Sequence, residues 1–244
     1  MDLTVSDSIN PTPFLSARDT FMTEFDLEQP VTVRIVDDPV TRTRVWHESA
    51  GHTLVMSRAT ASSELARELT LHEFGHMHRF EEGHISHHFS TTEAIWLAAC
   101  GRTVDRDRLT HCYQIANHVK DIYADDLTVD ITARDKLVAY FESSLAQAVE
   151  QSTIHPDIGP YQLDETNDTA IAVVNAAFAI GLLERHDLIQ SPHRLYTLAD
   201  VLAKRADDTP FDQFRQQFRT LSDDPTESGY RRFLVDILAA YLRV

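Results

Sequence analysis

The sequence predicts an α+β protein that is mainly helical, with a small sheet confined to its N-terminal third. Three observations carry that reading. β-Branched and alternating segments cluster between residues 31 and 57, and apolar residues recur at helical spacing through most of the chain beyond residue 62. The last of the predicted strands also runs almost directly into a helical pattern that contains His72-Glu73-Phe74-Gly75-His76. With 43% hydrophobic residues in 244, the chain can bury a full core, and one compact unit over 1–244 is expected, residues 160–244 forming a C-terminal helical portion.

In order, residues 1–15 read as an irregular lead with two prolines. Strands are predicted at 31–37, 42–47 and 52–57, separated by Asp-Asp-Pro and Ser-Ala-Gly turn signals. The next helix is expected to begin near Ser62 or Ser63, whose hydroxyls suit the first free amides. Residues 81–90 read as a loop. Helical patterns then resume at 91–100, 107–124, 131–150, 168–184, 196–205, 209–220 and 227–242. In the third of these, Leu137, Val138, Phe141, Leu145 and Val149 share one side. The segment 168–184 is apolar nearly all round and must be buried against something. Pro156 to Pro160 marks the one plausible internal boundary.

The segment around His72 is the most informative. Residues i and i+4 leave the same helix face one turn apart, so the imidazoles of His72 and His76 can reach one metal ion. Glu73 is offset by one position, where it can act on water rather than bind the metal. Leu65, Leu69, His72 and His76 follow one helical stripe, which directs the histidines toward the apolar anchors. Gly75 costs on the order of 1 kcal/mol of helix propensity, a sacrifice that makes sense if something approaches closely there.

Two histidines do not complete a zinc site, which takes three protein ligands and keeps one open position. Asn117, Asp121 and Asp125 follow at four-residue steps in a helical segment, and Asp121, central in that stripe, is the leading third ligand. A carboxylate supplies a hard oxygen donor. Glu93, His118, His111 and Asp125 are the alternatives, although Glu93 also suits a first helical turn and Asp125 a solvated helix end. Asn117, His118 or Tyr123 could steady an oxyanion or orient a ligand, Asn117 being the better candidate for the latter. His84, His87 and His88 read as a solvated polar loop, with a second metal site or a movable rim as the sharper alternative. His78 and Arg79 are expected to bind acidic side chains near the helix end.

Charge excludes some classes. The net charge is −16, with 38 acidic against 22 basic residues and no basic stripe, so nucleic-acid binding is not expected. Only three residues are lysine, Lys120, Lys136 and Lys204, and an Asp-rich, Lys-poor surface resembles that of proteins from organisms with multimolar internal salt. The first residues carry no signal-peptide pattern, and the longest apolar run, 170–183, is too short to span a bilayer. A cytoplasmic protein with no membrane association is the expectation. Cys100 and Cys112 form no CxxC pair and are expected to be two buried thiols rather than a disulfide.

His72-Glu73-Phe74-Gly75-His76, preceded by leucines and a short sheet, resembles the zincin class of metallopeptidases. The resemblance covers mainly residues 50–80, with looser support from 117–126. It implies a zincin-like fold with the motif helix packed under the sheet, Zn2+ held by His72 and His76 with a later carboxylate, and Glu73 as catalytic base. Arg79 and Glu82 stand where a metzincin would continue its motif, which points outside that branch. With the acidic composition, the chain looks like a haloarchaeal zincin-like protein. The implied activity is zinc-dependent hydrolysis of peptide bonds in peptides or unfolded protein; the alternatives are a catalytically inactive zincin-like domain that binds a metal or a protein partner, and hydrolysis of a non-peptide amide.

Overall fold

The computed structural model describes all residues except Asp7, Ser49, 152–164, Asp207 and Val244. The fold is α+β, with one four-stranded sheet near the N-terminus and helices through the rest. The chain divides into two compact units. The first comprises Met1–His88 and Lys120–Arg134, and the second Phe89–Val119 and Asp135–Val244. The described residues of the expected C-terminal helical portion belong to the second unit; the boundary expected at Pro156 to Pro160 lies outside the described residues.

In the first unit, β1 (Leu3–Val5), β2 (Val31–Val36), β3 (Arg44–Glu48) and β4 (Gly51–Ser57) form a sheet of order β1-β2-β4-β3. β1, β2 and β4 are parallel, and β3 runs antiparallel to β4 at one edge. The lead is therefore not irregular. β1 is joined to β2 by α1 (Thr12–Phe21), because a parallel pair needs a crossover connection. Its prolines, Pro11 and Pro13, fall at the helix start, where a missing amide proton costs nothing.

β2 alternates buried and exposed residues, so only one face of it meets the core. Val31, Val33 and Ile35 of β2 and Leu54 and Met56 of β4 cluster with Phe14, Ala17 and Phe21 of α1. Leu71, Phe74 and Met77 of the motif helix complete this cluster, and each fully buried side chain of this size contributes about 1.5–3 kcal/mol. After β4 comes a short helix α2 (Arg58–Ala61), capped by Ser57, and the helix expected to begin near Ser62 or Ser63 starts later, at Ala66, with Leu65 at its N-cap and no side-chain cap. The motif helix α3 (Ala66–Glu81) comes next. After it come α4 (Ile85–His88), within the segment expected to be a loop, and the later part of α6 (Arg106–Thr128).

The second unit is helical. α5 (Thr91–Ala99), the earlier part of α6, α7 (Arg134–Gln151), α8 (Glu165–Arg185), α9 (Arg194–Ala203), α10 (Phe211–Arg219) and α11 (Glu227–Tyr241) match the seven predicted segments. From Ala170 onward α8 is buried on nearly all sides, as its composition requires, and the side-chain oxygen of Asn175 accepts from Gln114 and His118. Of the five apolar residues grouped on α7, Phe141 and Leu145 are buried. No helix among the described residues is long and apolar enough to cross a membrane. Both cysteines are free thiols; Cys112 is buried, but Cys100, the residue that ends α5 in a left-handed conformation, is exposed, contrary to expectation.

Candidate metal centre

α3 buries Leu71, Phe74 and Met77 in the sheet core, which leaves His72 and His76 beside that face rather than at its centre. They share that half-buried position with Leu65 and Leu69, so the expected stripe exists but runs beside the core face. Their Nε2 atoms lie 3.1 Å apart. From α6, Asp121 brings Oδ1 to 3.3 Å from His76 Nε2 and 3.8 Å from His72 Nε2. These three residues form a group able to hold a metal ion.

The spacing tests that capacity. Four ligands about 2.1 Å from a tetrahedral zinc lie about 3.4 Å from one another. The observed 3.1, 3.3 and 3.8 Å bracket that edge, so one small cation fits with little movement. Two nitrogens and a carboxylate oxygen also match zinc's preferences. The side chains of His72 and Asp121 are each 25% exposed, which leaves a way in for solvent and for an ion.

Close packing of α3 on α6 creates this geometry. A Cβ at Gly75 would stand 2.7 Å from the carbonyl oxygen of Ala124, so only glycine lets α6 come so near. Arg79 then donates from Nε to the carbonyl of Tyr123 at 2.9 Å and also pairs with Glu82. His78 lies 3.6 Å from Glu82 and 2.9 Å from the Asp26 carbonyl, so both residues bind acid as expected and backbone as well.

One turn beyond Asp121, the buried Asp125 lies 2.7 Å from His72 Nδ1. It is neither a ligand of the group nor a solvated charge. It holds the ring of His72, the orienting role expected of Asn117, which is exposed two turns before. Burial opposes charge on His72, but Asp125, with Asp121 and Glu73 behind it, outweighs that cost and pushes the imidazole up to about 10. Burial pushes the Glu73 carboxyl above its ordinary range, against the pull of His76 and His72.

The remaining expected ligands are committed elsewhere. Glu93 pairs with Arg231, His111 bonds the Tyr241 hydroxyl at 2.6 Å, and His118 bonds Asn175 while stacking on Phe178. Tyr123 is fully buried with its ring against His84.

Two features lie outside the leading sequence reading. His87, in the segment read as a solvated loop, places Nε2 2.8 Å from His76 Nδ1, and burial holds it well below its ordinary range. On the sheet, His47 and His52 stand directly opposite in the β3–β4 pair with their Nδ1 atoms 2.9 Å apart. His52 also meets Glu81, whose carboxylate, despite partial burial, is kept low by the amides of Glu28 and Gln29. His47 lies flat on Phe80 of α3, and burial lowers it to about 4. The cross-strand register was the signal that could have paired these two histidines.

The fold and the site thus define an α+β protein whose motif helix and α6 bring together a two-histidine, one-carboxylate group suited to a metal ion. The chain belongs to a family of unknown function, DUF5781, whose model matches residues 1–243. No curated protein and no solved structure matches it.

Proposed function

We propose that this chain is a zinc-dependent metallopeptidase, with His72, His76 and Asp121 holding Zn2+ and Glu73 as the catalytic base. The observation that carries the reading is the tetrahedral spacing of the three donor atoms beside a buried carboxylate. Bound zinc would supply a Lewis acid that polarises a carbonyl and makes water a better nucleophile at neutral pH.

The chain's own residues do the rest. Glu73 takes a proton from the attacking water and returns it to the leaving amine; its burial, which raises its affinity for that proton, suits both transfers. Asp125 holds the His72 ring with Nε2 toward the shared position. Peptide is favoured over a small amide because β3 is an edge strand and touches α3 through His47 and Phe80, which puts a sheet edge beside the motif helix. We place the activity in the cytoplasm, on peptides or unfolded protein.

The test is a peptide-library assay on zinc-loaded protein. Cleavage is expected in the wild type, with Glu73→Gln keeping its zinc while turnover falls by about 10²–10⁴-fold. A zinc-loaded wild type that cleaves nothing in the library, or a Glu73→Gln variant that cleaves as well as wild type, would defeat the proposal.

A further inference from the structure

The turn after α3 holds a hydrogen-bond chain whose direction can be worked out from one fixed donor. The backbone amide of Ser86 donates to His84 Nδ1 at 3.3 Å. An amide N–H only donates, so that ring nitrogen carries a lone pair and no proton. The Ser86 hydroxyl lies 2.7 Å from the same nitrogen and must therefore point its proton there. A hydroxyl has one proton, so at its 2.8 Å contact with His87 Nδ1 it can only accept, and His87 Nδ1 is the donor. A neutral imidazole with its proton on Nδ1 has a bare Nε2. That atom sits 2.8 Å from His76 Nδ1 and can only accept, so in the neutral His76 imidazole the N–H is on Nδ1. What remains bare is His76 Nε2, the nitrogen 3.1 Å from His72 Nε2 and 3.3 Å from Asp121.

We propose that His87 is a positioning residue of the metal centre, holding His76 in the Nδ1–H tautomer with its Nε2 lone pair toward the ion, and that Ser86 and His84 fix His87 in turn. The inference rests on the zinc-site reading above. It makes α4 a working part of the centre. His72 is oriented by a carboxylate, which adds negative charge, whereas His76 is oriented by a neutral chain, which fixes the ring without adding any. Ser86 is fully buried, so water does not compete for its hydroxyl. The motif helix cannot supply such a partner itself, because His76 Nδ1 points off α3 toward the segment beyond Gly83. The left-handed Gly83, φ +74°, directs the chain into α4.

The experiment uses the full chain labelled with ¹⁵N-histidine, metal-free and zinc-loaded. Two-bond imidazole correlation spectra report the tautomer of His76 directly, and competition with a chromophoric chelator reports zinc affinity. The wild type is expected to show Nδ1–H at His76 in both states. His87→Leu, which removes the acceptor, should lose that preference in the metal-free state and bind zinc about 10–100-fold more weakly. His87→Gln, whose side-chain oxygen can accept the same proton, should restore both to within a few fold. Since Leu and Gln both lose the imidazole, a loss caused by general unfolding would appear in both variants, and equal loss in both overturns the proposal. So does a wild-type His76 in the Nε2–H form, or a His87→Leu variant with wild-type affinity and tautomer. A wild type that shows the expected tautomer yet takes up no zinc would defeat the metal reading while leaving the orientation of His76 by His87 established.

Discussion

Gly75→Ala separates two consequences that usually travel together, helix propensity and helix packing. In an isolated helix the change would stabilise by about 1 kcal/mol. Here the new methyl would lie 2.7 Å from the Ala124 carbonyl oxygen and 3.2 Å from the carbon atoms beside it, all of them backbone and unable to rotate away. Restoring ordinary contact at 3.4 Å requires α3 and α6 to part by about 0.7 Å. Overpacking of this kind costs about 1–3 kcal/mol, which leaves a net loss of up to about 2 kcal/mol after the propensity gain. The larger effect falls on the centre, because Asp121 and Asp125 ride on α6 while His72 and His76 ride on α3. Ligand sites tolerate about 0.5 Å of misplacement, so zinc affinity should drop at least about tenfold. Chelator competition and thermal unfolding of the metal-free protein measure the two effects. A variant that is more stable by about 1 kcal/mol and binds zinc as tightly as wild type would refute the argument that Gly75 sets the helix spacing.

Three further outcomes are expected. Asp125→Ala should keep the zinc stoichiometry but weaken the binding constant, corrected for the proton lost from His72 by measuring affinity against pH, by about 10–100-fold, since it frees the His72 ring without removing a ligand; an unchanged corrected constant would show that Asp125 does not orient His72. His72, raised to about 10 in the metal-free fold from 6.5, adds stability that is fully present below pH 6.5 and fades as the pH rises to about 10. Zinc must displace that proton, so zinc affinity should rise about tenfold per pH unit between about pH 7 and 9, and a flat profile would contradict a proton on His72. Finally, a thiol reagent should label one cysteine, the exposed Cys100, in native protein and two after denaturation, because Cys112 is buried with its thiol pushed up to about 12. Two fast thiols in the native state would contradict that placement.

The long helices were legible because their periodicity is local. α5 through α11 each carry enough turns for an apolar side to declare itself, except α8, which is marked by being apolar nearly all round. β1 was not legible, since three residues form a strand here only by pairing with Val31–Val33, 28 positions on. α1 was obscured by prolines whose place at a helix start is allowed but whose composition reads as a break. In the centre, the His72–His76 pair and Asp121 emerge from four-residue spacing along single helices. The role of Asp125 was missed by one turn: the stripe Asn117, Asp121, Asp125 was visible, but which neighbour of Asp121 meets His72 depends on how α6 crosses α3. His87 was hidden for a different reason. A histidine-rich segment after a glycine looks solvated until the chain is seen to return along α3, and nothing in the spacing of 76 and 87 encodes that return. Gly75 was read correctly as a point of close approach, and the partner proved to be the backbone of α6.

The central claim is that His72, His76 and Asp121 bind one zinc ion. Its most direct test is metal analysis of protein purified without a histidine tag, in high salt, beside His76→Ala and Asp121→Ala. About one zinc per chain in the wild type, lost from both variants while each remains folded, is the predicted result. A folded wild type with no specific metal, or zinc retained at full stoichiometry and affinity in both variants, would contradict it.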